Sequence, residues 1–132
     1  MMKVMKMIKT KKLMLYIEDT DEFKKKVKEE LRAIGRNKAK KFREDSITFQ
    51  SLDQLRKFLT NKRLQLLKII RHKKPKSVYE LAKMVERTPE NVNTDIKLLE
   101  QLGFVETTKI KEVRKKLVPE VNYDKMMLEI SI

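Results

Sequence analysis

Apolar positions in this chain change their spacing several times, and each change marks an element. Residues 1–17 mix Lys with Met, Val and Ile before the run Leu13-Met14-Leu15-Tyr16-Ile17, which predicts extended chain paired on itself across Thr10-Lys11-Lys12. Asp19 or Thr20 then caps a predicted helix reaching Ile34, with Phe23, Val27, Leu31 and Ile34 at helical spacing. That is a narrow stripe on a charged rod, too little to hold a lone helix, so it must dock on its own domain or on another copy. Arg36 to Arg43 has no clear period and reads as a linker, with a boundary near residue 45.

From Ser46 the signals sharpen. Ile47-Thr48-Phe49 alternates like a short strand, and Ser51 to Gln54 forms an S-x-x-Q capping box for a helix carrying Leu52, Leu55, Phe58 and Leu59. Thr60 caps the next helix, whose Leu64, Leu66, Leu67, Ile69 and Ile70 spread over so wide an arc that it must be contacted from several sides; it ends before Pro75. Ser77 and Glu80 make a second box ahead of Val78, Leu81, Ala82 and Val85, which predicts a helix of about ten residues. Thr88 caps a further helix with Pro89 at its first position, where the missing N–H costs nothing, and Val92, Ile96, Leu99 and Leu102 lead to a stop at Gly103. Phe104 to Thr108 and Leu117 to Tyr123 then read as two strands around a charged tip from Lys109 to Lys116. Met127 to Ile130 adds a third strand or a dimer-facing tail.

Composition narrows the chemistry. Over 132 residues, 33 Lys and Arg outweigh 19 Asp and Glu, a formal charge of +14, with 39% of residues charged. Such a surplus attracts polyanions, although Lys/Glu-rich surfaces also occur in heat-adapted proteins. There is no cysteine, which excludes disulfides, thiolate zinc sites and thiol nucleophiles and fits a reducing cytoplasm. The apolar runs are too short for a membrane span or a signal peptide, so the expectation is a soluble cytoplasmic protein with no membrane association. With 2 glycines, no phosphate-cradling loop can be built, and the single histidine, His72, reads as an exposed polar group rather than a metal ligand. No nucleophile, base or carboxylate pair stands in a recognisable motif, so the chain is expected to be no enzyme and to use no cofactor and no metal.

The order helix, helix, short turn Glu86-Arg87-Thr88, helix, hairpin is that of a helix-turn-helix with a wing. Ser77-Val78-Tyr79-Glu80-Leu81-Ala82, then Asn91 through Leu98 followed by Leu99-Glu100-Gln101-Leu102-Gly103-Phe104-Val105, and the basic stretch leading to Pro119 and Tyr123 carry a resemblance. Residues 47–123, more than half of the chain, are similar to the winged helix-turn-helix domain of MarR- and ArsR-like transcriptional regulators, especially small archaeal DNA-binding proteins of that superfamily. The expected fold class is therefore α+β, mainly helical: a winged helix-turn-helix with a small antiparallel wing over 46–132, and an N-terminal β/α extension over 1–45 that can serve dimerisation.

At 100° per residue, a helix that buries Val92, Ile96 and Leu99 points Glu90, Asn93, Thr94 and Lys97 outward, with Gln101 one turn further. Asn93 can pair with adenine, Thr94 can offer hydroxyl or methyl, Lys97 can reach guanine or phosphate, and Glu90 can accept from cytosine or simply favour the helix N-terminus. The N-terminal amides of the helix that Thr88 caps can also touch phosphate, although capping alone explains Thr88. Asp95 sits at the flank of the buried face and suits a structural salt bridge. Lys109, Lys111, Arg114, Lys115 and Lys116 in the wing can neutralise phosphate or enter a minor groove. The plainer reading of both groups is a solvated surface. The expected partners are double-stranded DNA and a second copy of the chain, with any small-molecule effector unspecified. A winged helix that binds protein instead stays open, whereas 3 Tyr, 5 Phe and no Trp give little means of stacking single-stranded RNA.

Overall fold

The computed structural model describes residues 11–18, 21, 25, 28, 46–111 and 115–132 of the chain, the side chains of 111 and 115 excepted. The expected pairing partner within residues 1–10, the stripe Phe23, Val27, Leu31 and Ile34, and the linker 36–43 lie outside the described residues. Asp21, Lys25 and Lys28 are helical and exposed. The chain forms two compact units, one of residues 1–48 with 123–132 and one of residues 49–122. Residues 123–132 thus share the first unit with the start of the chain.

In the first unit, β1 (Lys12–Ile17) lies between β2 (Ser46–Phe49), whose last residue already belongs to the second unit, and β5 (Lys125–Ile130). β1 and β5 run parallel, Leu13 beside Met126, Leu15 beside Leu128 and Ile17 beside Ile130. The alternation in β1 buries Leu13, Leu15 and Ile17 on one face, as period two demands. The pairing is anchored at both ends, where Asp124 N donates to Lys11 O at 2.8 Å and Ser131 N to Ile17 O at 3.1 Å. Met127 to Ile130 is therefore a third strand, added to β1 and not to the wing.

The second unit contains α1 (Leu52–Phe58), α2 (Asn61–Lys73), α3 (Val78–Met84), α4 (Pro89–Leu102), and the antiparallel hairpin of β3 (Glu106–Lys111) and β4 (Lys115–Glu120). Each helix starts on a hydroxyl that accepts the N–H three residues on: Ser51 from Gln54 at 3.1 Å, Thr60 from Arg63 at 3.3 Å, Ser77 from Glu80 at 3.0 Å and Thr88 from Asn91 at 3.2 Å. Both boxes are offset by one residue in their return bond, because Gln54 accepts from Gln50 N and Glu80 from Lys76 N, not from the caps themselves.

α2 packs against α3 and β4, and α3 against α4 and β4. Leu66, Leu67 and Ile70 of α2, Leu81 and Ala82 of α3, and Val92, Ile96 and Leu99 of α4 are buried together with Phe104 and Val105. Each of these side chains apart from that of Ala82 contributes roughly 1.5–3 kcal/mol by leaving water. Phe49 stacks on Phe58 and on Phe104, with ring centroids 6.4 Å apart in both cases. Leu52 departs from its expected inward position and is 43% exposed. Helix, helix, turn, helix and hairpin in this order are compatible with a winged-helix-like fold of the α+β class.

Candidate nucleic-acid interface

The turn before α4 is longer than the expected Glu86-Arg87-Thr88. α3 stops at Met84, short of the expected ten residues, because its end closes in a Schellman motif: Arg87 N donates to Ala82 O at 3.0 Å and Glu86 N to Lys83 O at 3.2 Å. Glu86 occupies the left-handed position of that motif at φ 55°, where glycine is the usual residue. Four residues, Val85 to Thr88, then carry the chain to α4. At the far end Gly103, at φ 100°, closes a second such motif, with Phe104 N on Leu99 O at 2.8 Å.

A buried acid fixes how α4 sits. Asp95, 8% exposed, accepts from Arg87 Nη2 at 2.8 Å and from Arg63 Nε at 3.1 Å. Arg63 also donates through Nη1 to the carbonyls of Lys57 and Phe58, at 3.2 and 2.9 Å, and so satisfies the end of α1. One carboxylate thereby ties together α2, the turn and α4, the structural role its flank position implied.

With Val92, Asp95, Ile96 and Leu99 turned inward, Glu90, Thr94, Lys97 and Gln101 are exposed and Asn93 is half-buried. Glu90 and Asn93 line a groove of about 510 Å³ together with Ser77, Val78, Tyr79, Pro89, Lys116 and Leu117. The start of α3, the start of α4 and one strand of the hairpin thus converge on one concavity. Thr94 and Lys97 do not line it; they stand on the outer face of α4. Thr94 Oγ1 donates to Glu90 O at 3.0 Å, so its hydroxyl hydrogen is engaged and it offers only a methyl group and acceptor lone pairs. Thr88 is exposed, its hydroxyl already accepting from Asn91 N.

In the hairpin Lys109 pairs with Leu117 and Ile110 with Lys116, so the two exposed lysines project from opposite faces. Lys111 and Lys115 face one another in the register at the strand ends, their side chains lying outside the described residues, as Arg114 does entirely. Tyr79 and Lys83 were missed by the sequence reasoning. Tyr79 is 59% exposed on the groove, and Lys83 Nζ lies 4.9 Å from its ring centroid. The signal was available: the core set Val78, Leu81, Ala82 and Val85 leaves position 79 facing away. Among the described residues, no group of carboxylates and histidine could hold a metal ion, and no helix is long and apolar enough to cross a membrane.

The fold and this surface define an α+β protein of helix-turn-helix-and-hairpin type with an exposed polar helix face beside a groove. The sequence profile of the HVO_A0114 family matches residues 58–128, more than half of the chain, and the chain belongs to that family. A similar solved structure is that of the transcriptional regulator homologue protein from Pyrococcus horikoshii OT3, 22% identical, with a TM-score of 0.42 over 54% of this chain and 77% of that one. No curated protein matches the sequence.

Proposed function

We propose that this protein is a sequence-specific double-stranded DNA-binding transcriptional regulator of the winged helix-turn-helix type, resembling MarR- and ArsR-like regulators. The observation that carries this reading is the outward polar face of α4, held by the Asp95 ion pairs and flanked by the groove and the lysine-bearing hairpin. In it, Asn93, Thr94 and Lys97 meet base edges in the major groove, with Glu90 nearby. Thr88, Lys109 and Lys116 meet phosphate, as do Lys111, Arg114 and Lys115 at the wing tip. Such a protein works in the cytoplasm as a homodimer, performs no catalysis and needs no cofactor.

Titration with duplex DNA at several salt concentrations tests it. A formal charge of +14 and a cationic wing predict a steep fall of affinity with salt, about 0.9 in the logarithmic slope per phosphate neutralised. A flat slope overturns the reading. It would favour the second reading, a winged-helix protein-protein interaction module, for which the exposed Tyr79 and Met84 on α3 speak.

A further inference from the structure

β5 is the edge of the sheet β2-β1-β5 among the described residues, and its apolar side chains other than the half-buried Met126 are exposed. Leu13, Leu15 and Ile17 of the middle strand are buried, yet their register partners Leu128 and Ile130 remain 47% and 46% exposed, and Met127 on the opposite face is 43% exposed. An open row of N–H and C=O groups beside such side chains is a template for another strand. The register also sets Lys12 beside Lys125, two exposed like charges, with Glu129 on the same face of β5 beside Tyr16.

We propose that β5 pairs antiparallel with β5 of a second copy of this chain, about a two-fold axis through Met127. In that register Met127 meets the partner's Met127, Met126 meets the partner's Leu128, and Lys125 meets the partner's Glu129, twice because the axis repeats it. The partner's Glu129 then stands beside the Lys12–Lys125 pair and relieves its repulsion. Moving the axis to Leu128 sets Glu129 against the partner's Met127, and moving it to Met126 sets Lys125 against the partner's Met127; both lose the two ion pairs. The charge pattern of the strand therefore selects one self-complementary register, which extends the apolar strip of Leu128 and Ile130 into a continuous sheet across both copies. This interface goes beyond the DNA-binding reading and does not depend on it.

Light scattering on the full chain at micromolar concentration, with circular dichroism of every variant to confirm folding, provides the test. The unaltered chain should be dimeric. Lys125→Glu sets acid against acid at both ends and should raise the dimer dissociation constant about tenfold, while Lys125→Glu with Glu129→Lys should restore it. The chain has no cysteine, so Met127→Cys should oxidise to a covalent dimer, its two Cα atoms coming within the roughly 4.4–6.8 Å that a disulfide spans, whereas Met126→Cys should not. A monomer, a dimer indifferent to Lys125→Glu, a double variant that is not restored, or cross-linking at 126 in preference to 127 would each overturn the proposal, the last three pointing to another strand or surface.

Discussion

Asp95 Oδ2 and Arg87 Nη2 lie 2.8 Å apart, joining the middle of α4 to the turn that precedes it. The other oxygen of the same carboxylate holds Arg63 of α2 at 3.1 Å, and Arg63 in turn closes the last carbonyls of α1. A single acid thus sets the angle at which α4 presents its polar face, while its own charge stays out of that face. Both arginine side chains keep part of their surface in water, 21% for Arg63 and 24% for Arg87, so the penalty of burying charge is only partly incurred.

Removing the acid leaves two guanidinium groups facing each other without a counter-charge. Asp95→Ala should therefore cost roughly 2–3 kcal/mol, below the value for a fully buried pair because of the remaining solvent contact. Urea unfolding at fixed pH measures this, and a loss under 0.5 kcal/mol, on the order of an ordinary surface change, would show that the network does not hold the helix.

Glu86 adopts φ 55° at a helix-ending position where a side chain is a steric burden. Glu86→Gly relieves that burden but enlarges the freedom of the unfolded chain, leaving a net gain of about 0.5 kcal/mol. The thermal midpoint should rise by roughly 2–4 °C. A fall would mean that the Glu86 side chain contributes more than its backbone costs.

What was legible in the sequence was local. Ser51, Thr60, Ser77 and Thr88 each cap a helix through a bond spanning three residues, so residue type and spacing sufficed to find them. The inward set Val92, Ile96 and Leu99 followed from the period of the helix, and the outward set with it. Relationships across long separations were not legible. Lys11 N donates to Asp124 Oδ2 across 113 residues, and no property of either terminal segment alone names the other as its partner. The groove is of the same kind: Tyr79, Asn93 and Lys116 come from three elements, and only packing brings them together. The turn length escaped because Glu86 takes a backbone conformation that its residue type does not advertise.

Tyr79 and Lys116 border the same groove but differ in charge, and DNA binding should separate their effects. Lys116→Ala should weaken binding and lower the logarithmic salt slope by about 0.9, one phosphate's worth. Tyr79→Ala should weaken binding several-fold with the slope unchanged, since a neutral ring releases no counterion. Because Tyr79 is 59% exposed, its removal should leave the thermal midpoint unmoved. Fluorescence anisotropy at three salt concentrations reads both variants, and a slope change in Tyr79→Ala would imply that the ring acts only by positioning Lys83.

Lys97 and Lys28 carry the same charge on exposed helical positions, yet only Lys97 stands on the outer face of α4. If the protein attracted DNA by bulk charge alone, removing either lysine would cost the same, because the long-range attraction counts charges without regard to place. If α4 enters the major groove, Lys97 lies within reach of a base edge or a groove-lining phosphate, whereas Lys28 is no part of that helix. A duplex enriched from a random pool, and a scrambled duplex of the same length, provide the comparison. Lys97→Ala should lower affinity for the enriched duplex by about tenfold, the cost of one good base contact, and for the scrambled one far less. Lys28→Ala should lower both slightly and equally. Equal losses for the two variants on the enriched duplex would place recognition elsewhere than on α4.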